Sequence, residues 1–342
     1  FNAWRDLANA PDQGAARSAV VQAGETLAFV ANRLATSLGD IQQDANVRLE
    51  SSVSEINDLA QQVASLNQRI IGVRSTGDPA ADLTDQRDLA LDRLARLTDA
   101  NIVEQPDGRV DVFIGGRALV QGVSATAIAL VPDAGNQGFY DLQWSSDAAP
   151  VVISRGEVGG LTHQRDVDLP ARMADLDVLI GQVITDVNAV HAAGFALDGV
   201  TTGTDFFTGT GAGDIAINAA VRTNPGLVAA ASAGGAPGDG SGALALADLQ
   251  RATNLSAGSQ SYEAYFSGMI SRLGVDVRNA RGTEAAQGAA IAHLDRLRAS
   301  VSGVNLDEEM VAMVQFQKGY EAAARIIRAI DEMVAEMMRM VE

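Results

Sequence analysis

The longest regular pattern lies near the start of the chain. From Ala15 to Ile71 there is no proline, and glycine occurs only at Gly24 and Gly39. Apolar residues recur at Leu27, Val30, Leu34, Leu38, Ile41 and Ala45, then at Leu49, Val53, Ile56, Ala60, Val63 and Ile70. This alternation of three and four predicts one continuous helix with a single buried stripe. Such a helix would be on the order of 80 Å long. Gly72 and the Thr76-Gly77-Asp78-Pro79 cluster end it. A second helix is predicted over Ala81 to Leu97, with Leu83, Leu91, Leu94 and Leu97 on its apolar face. The polar stretch from Thr84 to Asp88 opens it with acids suited to the positive end of the helix dipole.

The period then changes to two. Val110, Val112 and Ile114 alternate with Asp111 and Phe113 after a Pro106-Asp107-Gly108 turn signal. Further strands are predicted at Ala118 to Val120, Thr126 to Val131, Phe139 to Trp144 and Val151 to Ser154, as a small antiparallel meander or sandwich. Helical spacing returns at Met173, Leu176, Ile180, Val183, Val187 and Val190 and stops at Gly194. Residues 195–242, rich in Gly, Ala, Thr and Asp, read as loops with short strands such as Ile215 to Ile217. Helices follow over Ala243 to Ala252 and Ser261 to Val301, the latter with a seam of Ala290, Leu294, Leu297 and Val301. The most regular stripe is the last: Met313, Phe316, Tyr320, Ala323, Ile327, Ile330, Val334, Met337 and Val341. A three-four repeat sustained over about four heptads is a coiled-coil seam, which needs a partner helix. Six methionines in this segment, Met310, Met313, Met333, Met337, Met338 and Met340, suit an adaptable intermolecular interface.

The predicted fold is mainly α with a β-rich insertion. It is an elongated helical bundle, discontinuous in sequence, plus a small antiparallel β-domain and a C-terminal coiled-coil helix. Residues 1–100 supply the N-terminal part of the bundle and 101–164 the β-rich outer domain. Residues 165–195 return to the bundle, and 196–242 form an irregular, Gly-rich part of the outer domain. Residues 243–304 complete the bundle, and 305–342 form the terminal assembly helix.

Composition narrows the function. The 342 residues carry a formal charge of −18, from 25 basic and 43 acidic groups, and Lys318 is the only lysine. Such a surface repels phosphate backbones, which argues against a nucleic-acid partner. No apolar run approaches the roughly 18 residues of a membrane span, and nothing near Phe1 reads as a signal peptide. Phe1 in place of Met predicts a fragment or a processed product. Cysteine is absent, which excludes thiolate chemistry and disulfides. The three histidines, His163, His191 and His293, stand too far apart in sequence for a helical metal site and are read as structural. The run Gly209 to Asp214 has the wrong spacing and context for a nucleotide fingerprint and is read as a flexible loop. Asp307, Glu308 and Glu309 are read as acids at a helix N-terminus capped by Asn305. No catalytic residue, cofactor or metal is expected.

Two sets of residues carry a resemblance. Asn305, Leu306, Glu308 and Glu309, with Gln317 and Tyr320 downstream, resemble the C-terminal signature of bacterial flagellar axial proteins. Asp82, Leu83, Asp85, Gln86, Arg87 and Asp88 resemble the "D-L-x-D-Q-R-D" segment of one member family, the hook-associated FlgK family. Ser52 to Leu59, Leu66-Asn67, Leu119 to Gly122, Gly159 to Leu161, Asp186 to Gly194 and Asp205 to Phe207 are similar to it as well. The resemblance covers nearly the whole chain, with two departures. The family's amphipathic N-terminal helix, which pairs with the C-terminal one, is missing. The stretch between Phe207 and Ala243 is too short for a second outer domain, so one is expected. The resemblance implies a secreted, extracellular structural subunit, exported by the flagellar type III apparatus and assembled as a ring between hook and filament. It also implies the hook protein, a second hook-associated junction protein, further copies of itself, and an export chaperone on the C-terminal helix as partners. The alternatives are another hook or hook-associated axial subunit, or an extracellular coiled-coil adhesin whose β-excursion binds a ligand.

Overall fold

The structure, a computed structural model, describes residues 1–77, 79–302 and 306–339. Side-chain surroundings are defined for all of these but 301, 302, 306–309, 331 and 334–339. The chain divides into two compact units, 1–267 and 268–342. No helix among the described residues is long and apolar enough to cross a membrane.

The spine of the first unit is a helix of 61 residues, α2 (Gly14–Arg74), about 90 Å long at 1.5 Å per residue. It follows a short helix, α1 (Asn2–Asn9), that buries Trp4 and Leu7. Helix α3 (Ala81–Leu97) runs back along α2, so that Glu55 meets Arg93 and Asn67 meets Arg87. Four strands follow as an antiparallel meander: β1 (Asn101–Glu104), β2 (Val110–Ile114), β3 (Arg117–Gln121) and β4 (Ser124–Ala125). A separate hairpin pairs β5 (Ile128–Pro132) with β6 (Tyr140–Trp144). Leu119 and Val120 are neighbours yet both fully buried. A bulge permits this: pairing passes from Val112 with Val120 to Phe113 with Ala118, leaving Leu119 as the extra residue. The strands share one core with the helices. Leu49, Val53, Ile56, Ala60 and Val63 of α2 meet Leu91, Leu94 and Leu97 of α3, Val112, Ile114, Leu119 and Val120 of the meander, and Trp144 of the hairpin.

Beyond the hairpin the helical backbone runs unbroken from α4 (Gly156–His163) through a π-helical turn at Gln164–Asp168 into α5 (Leu169–Ala193). Pro170 accounts for the turn. Its missing N–H and its ring would break an ordinary α-helical ladder there, and one wide turn absorbs the misfit. The segment 195–232 then pairs β7 (Phe207–Thr208) with β8 (Ala216–Ile217) and forms the short helix α6 (Ala219–Thr223). Far from hanging loose, it buries Phe206, Ile215, Val221, Val228 and Ala230. Helix α7 (Ser241–Asp248) packs on α1 and α5. Helix α8 (Tyr262–Ser302) begins in the first unit, where Tyr262 donates a hydrogen bond to Asp186 and Tyr265 one to Asp175 at 3.3 Å. In the second unit, α8 and α9 (Leu306–Arg339) bury no apolar side chain among the described residues.

The architecture is thus mostly helical with a small antiparallel β insertion, the class the periodicity predicts. Several local expectations are corrected. Val151 to Ser154 is not a strand; Val151 and Ile153 are buried as coil, with one bridge between Gln143 and Pro150. β1 and α1 are additional. The largest correction concerns the first part of α2, where Leu27, Val30, Leu34 and Ile41 are exposed rather than buried. Its inward face is set one residue over, at Ala28, Ala31 and Gln42, and rejoins the predicted stripe at Ala45. Small residues face inward because segment 195–232 comes very close. A Cβ on Gly24 would lie 2.5 Å from the Ile217 side chain and 2.9 Å from that of Phe206. Asn32 reaches the Ile215 carbonyl at 2.9 Å. Close backbone approach outweighs the greater apolar area of the leucines and valines.

Candidate assembly surface

The residues that carry the family resemblance fall into two physical groups. The first group builds the first unit. In the Asp82–Asp88 segment, Asp82, Asp85 and Gln86 are exposed at the start of α3, whereas Arg87 is buried. Arg87 donates to the Gly108 carbonyl at 2.7 Å, approaches Asn67 Oδ1 at 3.5 Å, and lies 3.8 Å from the Asp88 carboxylate. It therefore ties α3 to the turn between β1 and β2. That turn needs glycine, because Gly108 sits at φ +84°. Of this segment's charged and polar residues, only Arg87 acts as a core clamp.

Asn67, with no exposed surface, is one of three asparagines on the part of α2 that faces the strands of the shared core. Asn46 accepts from Tyr140 N–H at 3.0 Å. Asn57 accepts from Ile128 N–H at 2.8 Å and donates to the same residue's carbonyl at 2.9 Å. Asn67 accepts from Val110 N–H at 3.1 Å and donates to the carbonyls of Val110 and Gly122 at 2.8 and 2.7 Å. Asn57 and Asn67 pair with a backbone as a neighbouring strand would, and Asn46 answers one N–H, so the helix satisfies polar groups that packing against it would otherwise leave bare. Spacings of 11 and 10 residues, close to three helical turns, keep all three on one face. That spacing was the available signal, and a reading of apolar positions alone passes over it.

Arg165, in the π-turn, is the counterpart on the other side. It is buried, forks onto both oxygens of Asp166 at 2.7 and 2.8 Å, and donates to Asn46 Oδ1 and the Tyr140 carbonyl at 2.8 Å each. Burial alone would raise the Asp166 carboxyl, but the hydrogen bonds from Arg165 and Asn136 hold it below the usual carboxylate range.

His191 is structural too. Its Nδ1 lies 2.6 Å from the Thr204 carbonyl and its Nε2 accepts from Ala229 N–H at 2.9 Å, so Nδ1 carries the proton. Burial lowers its pKa, and the positive charge of Arg17 acts in the same direction. It sits among Trp4 and Phe206, with ring centroids 6.1 and 5.3 Å away. His163 is exposed beside Asp168, and His293 is exposed on α8. In the Gly209–Asp214 loop, Asp214 accepts from the N–H groups of Thr210 and Gly211, and Asp177 from that of Ala212. Three successive amides of the loop are thereby occupied and not open to a phosphate. No group of metal-ligating side chains converges among the described residues.

The second group lies on α9. Met313, Phe316, Tyr320, Ala323, Ile327 and Ile330 are exposed, Phe316 and Tyr320 by 80% each, and Gln317 is exposed beside them. Leu306, Glu308, Glu309, Val334 and Met337 lie on the same helix, their side chains outside the described ones; Asn305 and Val341 lie outside the described residues. Residues three and four apart share a helix face, so the six form one apolar stripe. Fully burying its five larger members would release on the order of 5–10 kcal/mol before ordering costs.

Comparison with known proteins agrees with both groups. Residues 1–207 match the model of the flagellar hook-associated protein FlgK helical domain, and residues 298–340 match that of the flagellar basal body rod FlgEFG protein C-terminal region. Flagellar hook-associated protein 1 of Bacillus subtilis (strain 168) is 27% identical, over 99% of this chain and 74% of its own length. The protein of the same name from Escherichia coli (strain K12) is 25% identical, over 96% of this chain and 77% of its own. In fold, the chain is similar to the flagellar hook junction protein FlgK from Burkholderia pseudomallei. The TM-score is 0.76 at 16% identity, covering 88% of this chain and 92% of that one. With more than half its length matched by the family's helical-domain model, the chain belongs to the flagellar hook-associated protein FlgK family, a family of structural components of the flagellum.

Proposed function

We propose that this chain is the subunit that joins hook to filament, exported through the flagellar type III apparatus and assembled outside the cell as a ring. Its neighbours in the ring are copies of itself. Axially they are the hook protein and the second hook-associated junction protein, and before assembly an export chaperone holds α9. The observation that carries this reading is the contrast within one chain. The first unit has a closed apolar core, whereas α9 presents a regular apolar stripe to solvent. A stripe of that regularity is costly in water and suited to helix pairing. That it lies within the segment matching a rod-protein C-terminal model supports an axial partner.

Electron microscopy of cells lacking this gene tests the reading. Hooks without attached filaments, restored by the wild-type gene, are expected. Filaments attached normally in the deletion would overturn it. If filaments were lost only together with the hooks, the chain would be a hook component instead.

A further inference from the structure

We propose that Met310, Met313 and Met333 make α9 an oxidant-sensitive assembly element, modified by peroxides while the chain is unassembled. The chain has no cysteine, so thioethers are its sulfur chemistry. Six of its eight methionines fall between 310 and 340, five of them within the helix that the preceding section reads as the assembly surface; the inference rests on that reading. Met310, Met313 and Met333 are each more than half exposed. The two methionines elsewhere, Met173 on α5 and Met269 on α8, are partly shielded. Met173 reaches α2, its terminal methyl carbon 4.0 Å from the place a Cβ on Gly39 would take.

The chemistry needs only a hydroperoxide. A thioether lone pair attacks one oxygen of hydrogen peroxide, the O–O bond breaks, and the proton on the attacked oxygen passes to the departing hydroxide, giving water. Sulfur is oxidised to the sulfoxide and the peroxide is reduced. The product is a polar, hydrogen-bond-accepting group where the seam requires an apolar one. Met313 is itself a seam position. Met310 precedes it by three residues, and Met333 follows Ile330 by three, so both lie along the same stripe. Once the stripe is covered by a partner helix, the sulfurs are withdrawn from solvent. The modification therefore acts on subunits that have left the chaperone and are not yet assembled, and spares assembled ones.

The test uses the whole chain, treated with dilute hydrogen peroxide and mapped by peptide mass spectrometry. Aliquots are then bound to isolated hooks lacking this protein and counted by immunogold microscopy. Met310, Met313 and Met333 should gain oxygen before Met173 and Met269. Hook binding should fall by roughly tenfold or more, because sulfoxides disrupt methionine-rich interfaces. Methionine sulfoxide reductases should restore it. The triple variant Met310→Leu, Met313→Leu, Met333→Leu should keep its binding through the same treatment. The proposal is overturned if Met173 or Met269 oxidises first, if the oxidised chain binds as well as the untreated one, or if the triple variant is equally sensitive. An untreated Ile327→Asp, Ile330→Asp chain separates the two claims. If it fails to bind while oxidised wild type binds normally, only the oxidation proposal falls. If it binds normally, the assembly reading falls and takes this one with it.

Discussion

Two stretches of this chain carry the same three-four apolar repeat and meet opposite fates. From Ala45 to Ile70, α2 lies beneath β-strands and α3, and its stripe is closed over by Leu94, Val112, Leu119 and Trp144. From Met313 to Ile330, α9 keeps its stripe in solvent. The difference is not in hydrophobicity. The part of α2 that faces the strands carries asparagines at 46, 57 and 67 that bind strand backbone, whereas the seam of α9 carries adaptable methionine and aromatic side chains. A helix that must cover a sheet has to answer the backbone polar groups of that sheet. A helix meant for another helix does not, because its partner's backbone bonds are already made.

The sharpest way to break this comparison is to empty the covered stripe. Ile56→Ala, at a fully buried position, should cost the first unit about 2–5 kcal/mol in urea unfolding, the range for deleting a large buried aliphatic group. A loss near zero would mean the shared core of α2, α3 and the strands is not what stabilises the unit. Asn67→Ala should come next. It strips partners from Val110 N–H and from the carbonyls of Val110 and Gly122, and unpaired buried groups cost about 1–3 kcal/mol each before water relaxes the site. A variant as stable as wild type would reduce the asparagine series to ornament.

A smaller effect should come from acid. The folded His191 binds its proton less tightly than an unfolded histidine with a pKa near 6.5. As pH falls below that value the unfolded chain takes up the proton first, so stability is full above pH 6.5 and declines as pH drops towards the folded-state value. His191→Gln should flatten that part of the unfolding profile while lowering stability throughout. An unchanged slope would place the acid sensitivity elsewhere. Smallest of all, Val30→Ala on the exposed face of α2 should change stability by less than about 0.5 kcal/mol, whereas Ala31→Val, on the buried face beside it, should overpack and cost about 1–3 kcal/mol. The reverse order would restore the stripe that periodicity predicts and refute the one observed.

That pair of residues shows how far the sequence could be read. Helix extents were legible because length and spacing are local properties: α3 lies where the repeat places it, and α2 extends only a few residues beyond the predicted span. Which face of α2 turns inward was not, since Gly24, Ala28 and Ala31 are selected by how closely Phe206 and Ile217 approach. Strand β1 escaped notice because Asn101 to Glu104 shows no alternation of burial; all four residues are exposed at the sheet edge. The π-turn escaped notice because Pro170 signals a helix boundary in sequence, yet the backbone passes through it. For the surface, the stripe on α9 was legible and its partner was not. Periodicity announces that a seam exists and is silent about what covers it.

The role of the α9 stripe in assembly can be tested directly. Ile327→Asp with Ile330→Asp places two charges in it, at exposed positions. The measurement is paired: urea unfolding of the whole chain, and electron microscopy of hooks and filaments in cells carrying the variant in place of wild type. The prediction is an unfolding transition of the first unit unchanged to within about 0.5 kcal/mol, together with hooks that have lost their filaments. Filaments attached as in wild type would contradict it.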